Sequence, residues 1–276
     1  MLQHGLPALH GLLIWWISTC LILFLDSLPR RTFRWSMTAA TATLGVAIYG
    51  LVVSATDTSV SGAYTAFTSA VLIWGWLEIS FYMGYVTGPR NVHCGHGCKG
   101  WRHFGHAIQA SLYHEIAVLL LAVVVVMLTR GSPNQFGLWT FIVLWWMHQS
   151  ARLNVFLGVS NLNAEFLPEH LAHIKSFFRS APMNMLFPFS VTASTICAAL
   201  MGERALSFGA DTFNATGYSL LTTMMVLAIL EHWFLVLPIS AARVWNRMWQ
   251  WSLGARGPIT KTSQPLPREA TIGGHP

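Results

Sequence analysis

Charge is what this sequence most lacks. Only 9% of its 276 residues are Asp, Glu, Lys or Arg, against about a quarter in an average soluble domain. So few charges cannot keep a folded surface in water, and the mean hydropathy is +0.50. Polar faces at helical period are missing too, as in IAVLLLAVVVVMLT (116–129), which excludes a soluble helical core protein. There is no internal repeat and no second folded domain. Cysteine is scarce, and Cys20 and Cys197 fall in apolar runs, where they read as small apolar residues.

What is present is a series of apolar runs long enough to cross a bilayer, which takes about 20 residues each. They cover residues 8–26, 36–54, 64–87, 107–129, 136–158, 184–203 and 214–238. The expected fold is an all-α polytopic membrane helix bundle with seven transmembrane helices. The first run has no basic region before it and basic residues after it, so it reads as a helix and not as a signal peptide. Residues 1–253 make up the expected transmembrane domain. Residues 254–276, polar and rich in Pro and Gly, read as a disordered cytoplasmic tail.

Orientation follows from the basic residues. All of the 16 Lys and Arg except Arg130 and Arg204 fall on one side of the seven runs. The positive-inside rule puts that side in the cytoplasm, with the amino terminus outside and the carboxyl terminus inside. The pI near 9.5 then describes a surface facing anionic lipid headgroups and implies no nucleic acid partner. Between the fifth and sixth runs, Pro168 suits the first turn of a helix starting near Leu167. Leu171, Ile174, Phe177 and Phe178 share one face of it, so one interfacial amphipathic helix is expected there.

Ionisable residues inside the apolar runs stand out, because each costs about 2.5–3.5 kcal/mol at a helix centre. At 1.5 Å per residue, Glu231 and His232 lie about 10 Å below the cytoplasmic boundary, His114 and Glu115 about 12 Å, and Glu78 and His148 about 15 Å. Arg152 sits one turn nearer the surface than His148. Four helices therefore bring such groups to one level in the cytoplasmic half.

Three chemistries fit this layer. Glu78, His114, Glu115, His148, Glu231 and His232 are the ligand types of an iron site in a helix bundle, and Glu165, Glu169 and His170 of the interfacial helix would close it from below. Against a di-iron site, no HEXXH box is present, and Glu and His are adjacent at 114–115 and 231–232, about 100° apart on the helix. Alternatively, His114, His148 or His232 would ligate the magnesium of a bacteriochlorophyll or a precursor. The 13 Trp suit a planar pigment, but interfacial aromatic belts explain them equally. In the third reading the charged groups pair only with one another.

A second cluster is CGHGC (94–98), with His93, His96, His103 and His106 nearby. Thiolates and imidazoles suit zinc, but a lone C-x3-C is not a standard zinc spacing. A cytoplasmic location disfavours a disulfide, and the segment reads as a mobile basic loop.

Several runs together carry a family resemblance. They are SLPRRTFRWSM (27–37), DTSVSGAYTAFTSAVLIWGWLEISF (57–81), GPR with the two-cysteine loop, GWRHFGHAIQA (100–110), YHE (113–115), LNVFLGVSNLNAEFLPEHL (153–171), SFFRSAPMNMLFPFSVTAST (176–195) and ILEHWFLVLP (229–238). In order and spacing, from about residue 20 to 240, the chain resembles the PuhE family, photosynthetic complex assembly proteins of anoxygenic phototrophic bacteria. The resemblance implies a multi-pass protein of the bacterial inner membrane, linked to bacteriochlorophyll production. It also implies reaction-centre or light-harvesting polypeptides, pigment-synthesis enzymes and membrane lipids as partners. It brings no catalytic residues. Three functions follow as expectations: a pigment-holding assembly factor, a membrane metalloenzyme acting on a pigment or lipid-like substrate, and a scaffold without a cofactor. A transporter is disfavoured because no inverted repeat is visible.

Overall fold

The structure, a computed structural model, describes residues 2–95, 97–162, 164, 167–207, 209 and 211–237. The expected tail, the boundary at 253/254 and Glu165 lie outside these residues. The described chain is helical, with α1 Leu2–Ser27, α2 Phe33–Ser54, α3 Val60–Tyr82, α4 Gly100–Thr129, α5 Phe136–Leu157, α6 Leu186–Leu206 and α7 Thr212–Val236. Its only β pairing is an isolated bridge, Val159 to Ser180.

Six of these helices, all but α5, are long and apolar enough to cross a membrane. The chain is a multi-pass membrane protein. Burial ranks the helices by position. Within their most apolar windows 56% of α3 and 50% of α7 is buried, against 6% of α1 and 11% of α2, so α3 and α7 form the centre. Large apolar side chains such as Tyr49, Leu120, Met127 and Phe189 stay exposed on the outer helices, where lipid would cover them. Helix α5 packs against both α3 and α7, and its last turns carry His148, Gln149, Ser150, Arg152 and Asn154. Because neighbouring helices cover it, α5 can hold polar groups that a lipid-facing helix of this length cannot.

Small residues let the central helices approach closely. Ala63, Ala66 and Ala70 line the buried face of α3, beside Phe67, Ile73 and Leu77. Opposite, Phe136 of α5 lies over Gly217 of α7 so tightly that a Cβ there would sit 2.1 Å from the ring. This small-to-large packing is what drives helix association in lipid, where hydrophobicity alone does not.

Asparagines fasten the helix ends. Buried Asn134 donates to the carbonyls of Ser54 (2.9 Å), Asp57 (3.0 Å) and Gly62 (3.0 Å), while its Oδ1 accepts the Phe136 N–H at the start of α5. One side chain thus ties α2, α3 and α5 together at the end away from the basic residues. Asn134→Ala is expected to lower stability by at least about 2 kcal/mol, because buried backbone groups lose their partners. Thermal denaturation in detergent would measure it, and an unchanged midpoint would show that water replaces the amide. At the basic end, Asn184 Oδ1 accepts from Leu186 and Phe187 to cap α6, and its amide reaches the Asn154 and Gly158 carbonyls.

Three elements depart from the sequence expectation. Helix α4 starts seven residues early, and at 30 residues spans about 45 Å, longer than the roughly 30 Å hydrocarbon core. Helix α3 ends at Tyr82, because Gly84 turns the chain at φ +80° and Tyr85 and Val86 both donate to Ser80 O. The interfacial segment is a 3-10 helix, Glu169–Phe177, with three residues per turn. That period aligns Leu171, Ile174 and Phe177 on one face, and His170, His173 and Ser176 on the next.

Candidate functional site

The polar layer divides into two sets. In the first, every group has a partner. Arg152 of α5 donates to Glu115 and Ser111 of α4, and Gln149 donates to the other oxygen of Glu115. Buried His232 of α7 uses both ring nitrogens, donating from Nδ1 to Ala228 O (2.9 Å) and pairing through Nε2 with Ser150 Oγ (2.9 Å). These contacts are the cross-helix pairing that makes buried polar groups tolerable.

The second set is unsatisfied. Glu78 of α3, His114 of α4 and His148 of α5 each offer one ligand atom, and the three atoms lie within 4.8 Å of one another. His148 Nδ1 is 3.2 Å from Glu78 Oε1, yet out of line for a hydrogen bond. His114 is 1% exposed. Both its ring nitrogens, with His148 Nε2 and Glu78 Oε1, are buried without a hydrogen-bond partner among the described residues. Such orphans cost about 1–3 kcal/mol each, and several in one place need water, an ion or a ligand to satisfy them. The imidazoles sit with ring centroids 5.7 Å apart. Phe81 packs on His114 (4.9 Å) and Trp74 on His148 (5.3 Å), so apolar walls enclose the polar atoms.

His114 is set in place by the chain after α3. Thr87 O accepts the His114 N–H at 2.9 Å. Gly88 lies so close to α4 that a Cβ would be 2.1 Å from Gln109 O. Beside this crossing opens a cleft of about 470 Å³, lined by Arg30, Met83, Thr87, Gly88, His170 and His173 among others. His170 Nε2 donates to Tyr82 O at 2.8 Å. Burial pushes the imidazoles of His170 and His173 below their ordinary range. They fold as neutral rings, so their contribution is complete above about pH 6.5 and is lost as pH falls through the lower folded value.

The remaining sequence candidates are not among these three ligands, although Glu231 lies within electrostatic reach of Glu78. Glu169 is exposed and His170 is engaged with Tyr82. Glu231 stands at the bundle surface, with the Trp15 side chain of α1 hydrogen-bonded to it. Sequence reasoning missed Asp26 of α1, whose Oδ1 is buried without a partner among the described residues, and Tyr82, which lies within electrostatic reach of Glu78, Asp26, Glu231 and Arg152. Asp26 ends an apolar run just before Arg30, and that was the available signal.

Comparison with known proteins adds a family. Residues 1–259 match the family described as "Protein of unknown function (DUF3623)". A Rhodobacter capsulatus protein, "Uncharacterized 30.4 kDa protein in puhA 5'region", is 37% identical over 273 residues, covering 97% of this chain and 98% of that one. No solved structure matches the chain. With matches of this extent, the chain belongs to the DUF3623 family.

Proposed function

We propose that this protein is a photosynthetic complex assembly factor of the PuhE type, acting through a single transition-metal ion held by Glu78, His114 and His148. The carrying observation is that trio, from three helices, with Glu78 Oε1, His148 Nε2 and both His114 ring nitrogens buried and making no hydrogen bond among the described residues. Two histidines and one carboxylate with open positions are the ligand set of non-haem ferrous iron. Glu115 and His232 already have partners, so one metal is supported better than two. The relative's position 5′ of puhA goes with the photosynthetic role. In this reading α5 spans the membrane as the seventh helix, the basic end is cytoplasmic, and the membrane is the bacterial inner membrane. The cleft beside Thr87 and Gly88 admits a pigment or lipid-like substrate.

The same orphaned imidazoles support a second reading, in which His114 or His148 ligates the magnesium of bacteriochlorophyll or a precursor during its transfer to a reaction-centre or light-harvesting polypeptide. Metal analysis and an absorption spectrum of the detergent-purified protein separate the two, beside a Glu78→Gln/His148→Gln variant and complementation of a deletion strain. About one iron per chain, lost in the variant together with complementation, is the expected result. A bacteriochlorophyll band without iron moves the function to pigment hand-over. A blank in both assays with full complementation by the variant leaves a scaffold and sinks both site readings.

A further inference from the structure

Independent of that layer, the basic end carries a second constellation. The CGHGC loop leads directly into α4, whose first turns bear His103 and His106. Spaced by three, they share one helix face. His106 Nδ1 lies 3.3 Å from Cys98 Sγ and 3.5 Å from Cys94 Sγ, and His103 Nδ1 lies 3.2 Å from Cys94 Sγ. A thiol–imidazole hydrogen bond explains one such contact, but His106 Nδ1 faces two sulfurs at once. In a tetrahedral zinc site, with Zn–S about 2.3 Å and Zn–N about 2.0–2.1 Å, neighbouring sulfur and nitrogen ligands are about 3.6 Å apart. The three distances fall a few tenths of an ångström short of that edge.

The surroundings hold these four side chains in position. The His103 ring stacks on Phe156 of α5 (5.5 Å, 26°) and leans on Phe177 of the 3-10 helix (5.4 Å). The Cys94 N–H donates to Ser176 Oγ at 3.0 Å, and Ser176 in turn donates to His173 O. Gly97 (φ +87°) and Gly100 (φ +59°) supply the left-handed turns that bring Cys98 back over α4. Both cysteines are free of disulfides. The length of α4 beyond the hydrocarbon core leaves its first turns outside lipid, within reach of aqueous zinc.

We propose that Cys94, Cys98 and His106, whose ligand atoms lie within 4.8 Å of one another, form a closed, tetrahedral structural zinc site, with His103 drawn in from its contact with Cys94 as the fourth ligand. The site clamps the α3–α4 loop to the start of α4. Two thiolates and two imidazoles with no open position are a structural set, since a catalytic zinc keeps one position for water. The residue pattern is C-x3-C-x4-H-x2-H, shorter than the spacings of zinc fingers. That is possible here because α4 and the 3-10 helix hold the ligands in place of a small independent fold.

The test uses the full chain in detergent, stripped of metal under reducing conditions and then supplied with zinc or cobalt(II). The expected result is tight uptake of about one zinc per chain, with cobalt–thiolate charge-transfer bands in the cobalt form. That uptake should persist in Glu78→Gln/His148→Gln, which removes ligands of the other site, and adding Cys94→Ser/Cys98→Ser or His103→Gln/His106→Gln to that background should abolish it. If the loop variants do not fold, alkylation of the wild-type chain decides. Zinc should slow iodoacetamide modification of Cys94 and Cys98 at least tenfold while leaving Cys20 and Cys197 unchanged. Equal rates with and without zinc, or zinc uptake that survives both loop variants in the Glu78→Gln/His148→Gln background, would overturn the proposal.

Discussion

Replacing Arg152 with methionine is expected to destabilise the protein by about 1–3 kcal/mol, the cost of leaving the acceptor groups of a part-buried ion pair without their donor. Glu115 would keep the Gln149 amide but lose the guanidinium it pairs with, and Ser111 would lose the donation from Arg152. For a chain of this size the loss corresponds to a thermal midpoint lower by on the order of 5 °C. The pair itself is not the source of that stability. Removing both charges, as Glu115→Leu/Arg152→Met, is expected to recover most of the loss, because two apolar side chains need no compensation in this interior. Thermal melts of the two single variants and the double variant measure the coupling directly. A double variant no better than Arg152→Met alone would show that Arg152 acts through something other than Glu115.

His114→Leu is expected to act in the opposite direction. In metal-free protein the imidazole holds two nitrogens out of water with no partner, so an apolar side chain of similar size relieves a cost of about 1–3 kcal/mol. The metal-free variant should therefore melt a few degrees above metal-free wild type, while failing to complement a deletion strain. Ferrous iron should raise the midpoint of the wild type and leave the variant unchanged, since only a protein that binds ligand gains from it. A variant less stable than wild type would mean that His114 is structural, and a stable variant with full function would remove it from the site. A stabilising substitution that abolishes function is the usual mark of a site selected for something other than folding.

Much of the fold is legible in the sequence, for a specific reason. An apolar run the length of a bilayer crossing has few alternatives, and each run has its helix, α5 included. The ends are less legible. The run through Phe81 and Tyr82 stays apolar past the true end of α3, because a left-handed turn at Gly84 leaves no mark in hydropathy. Arg102, His103 and His106 read as loop, although they begin α4. Over the nine residues of the 3-10 helix, a period of 3.0 aligns Leu171, Ile174 and Phe177 and a period of 3.6 spreads them over about 120°, still one apolar face, so pattern alone does not separate the two.

The site was legible only as a layer. Ionisable residues in apolar runs are costly enough to be noticed, and their depth follows from counting. Which of them meet depends on how each helix is rotated about its axis, and packing sets that. Glu115 and His114 are neighbours in sequence, yet one faces Arg152 and the other faces Glu78 and His148. The adjacency that argued against a di-iron motif is what sends these two residues to different partners.

The unwound chain between Tyr82 and Gly88 bears on how the protein is made. It reaches Thr87 to the mid-length of α4, at a depth where peptide groups need partners within the protein. The carbonyl of Thr87 has the His114 amide to meet, and only once α4 is alongside. As the chain leaves the ribosome, the third span therefore enters the bilayer before its own return segment can settle, and that segment waits for the fourth. Glu78 arrives with the third span, His114 with the fourth and His148 with the fifth, so the pocket is assembled in the order of synthesis. Until α5 docks the pocket has an open wall, and under the proposed metal site that is the interval in which an ion would enter.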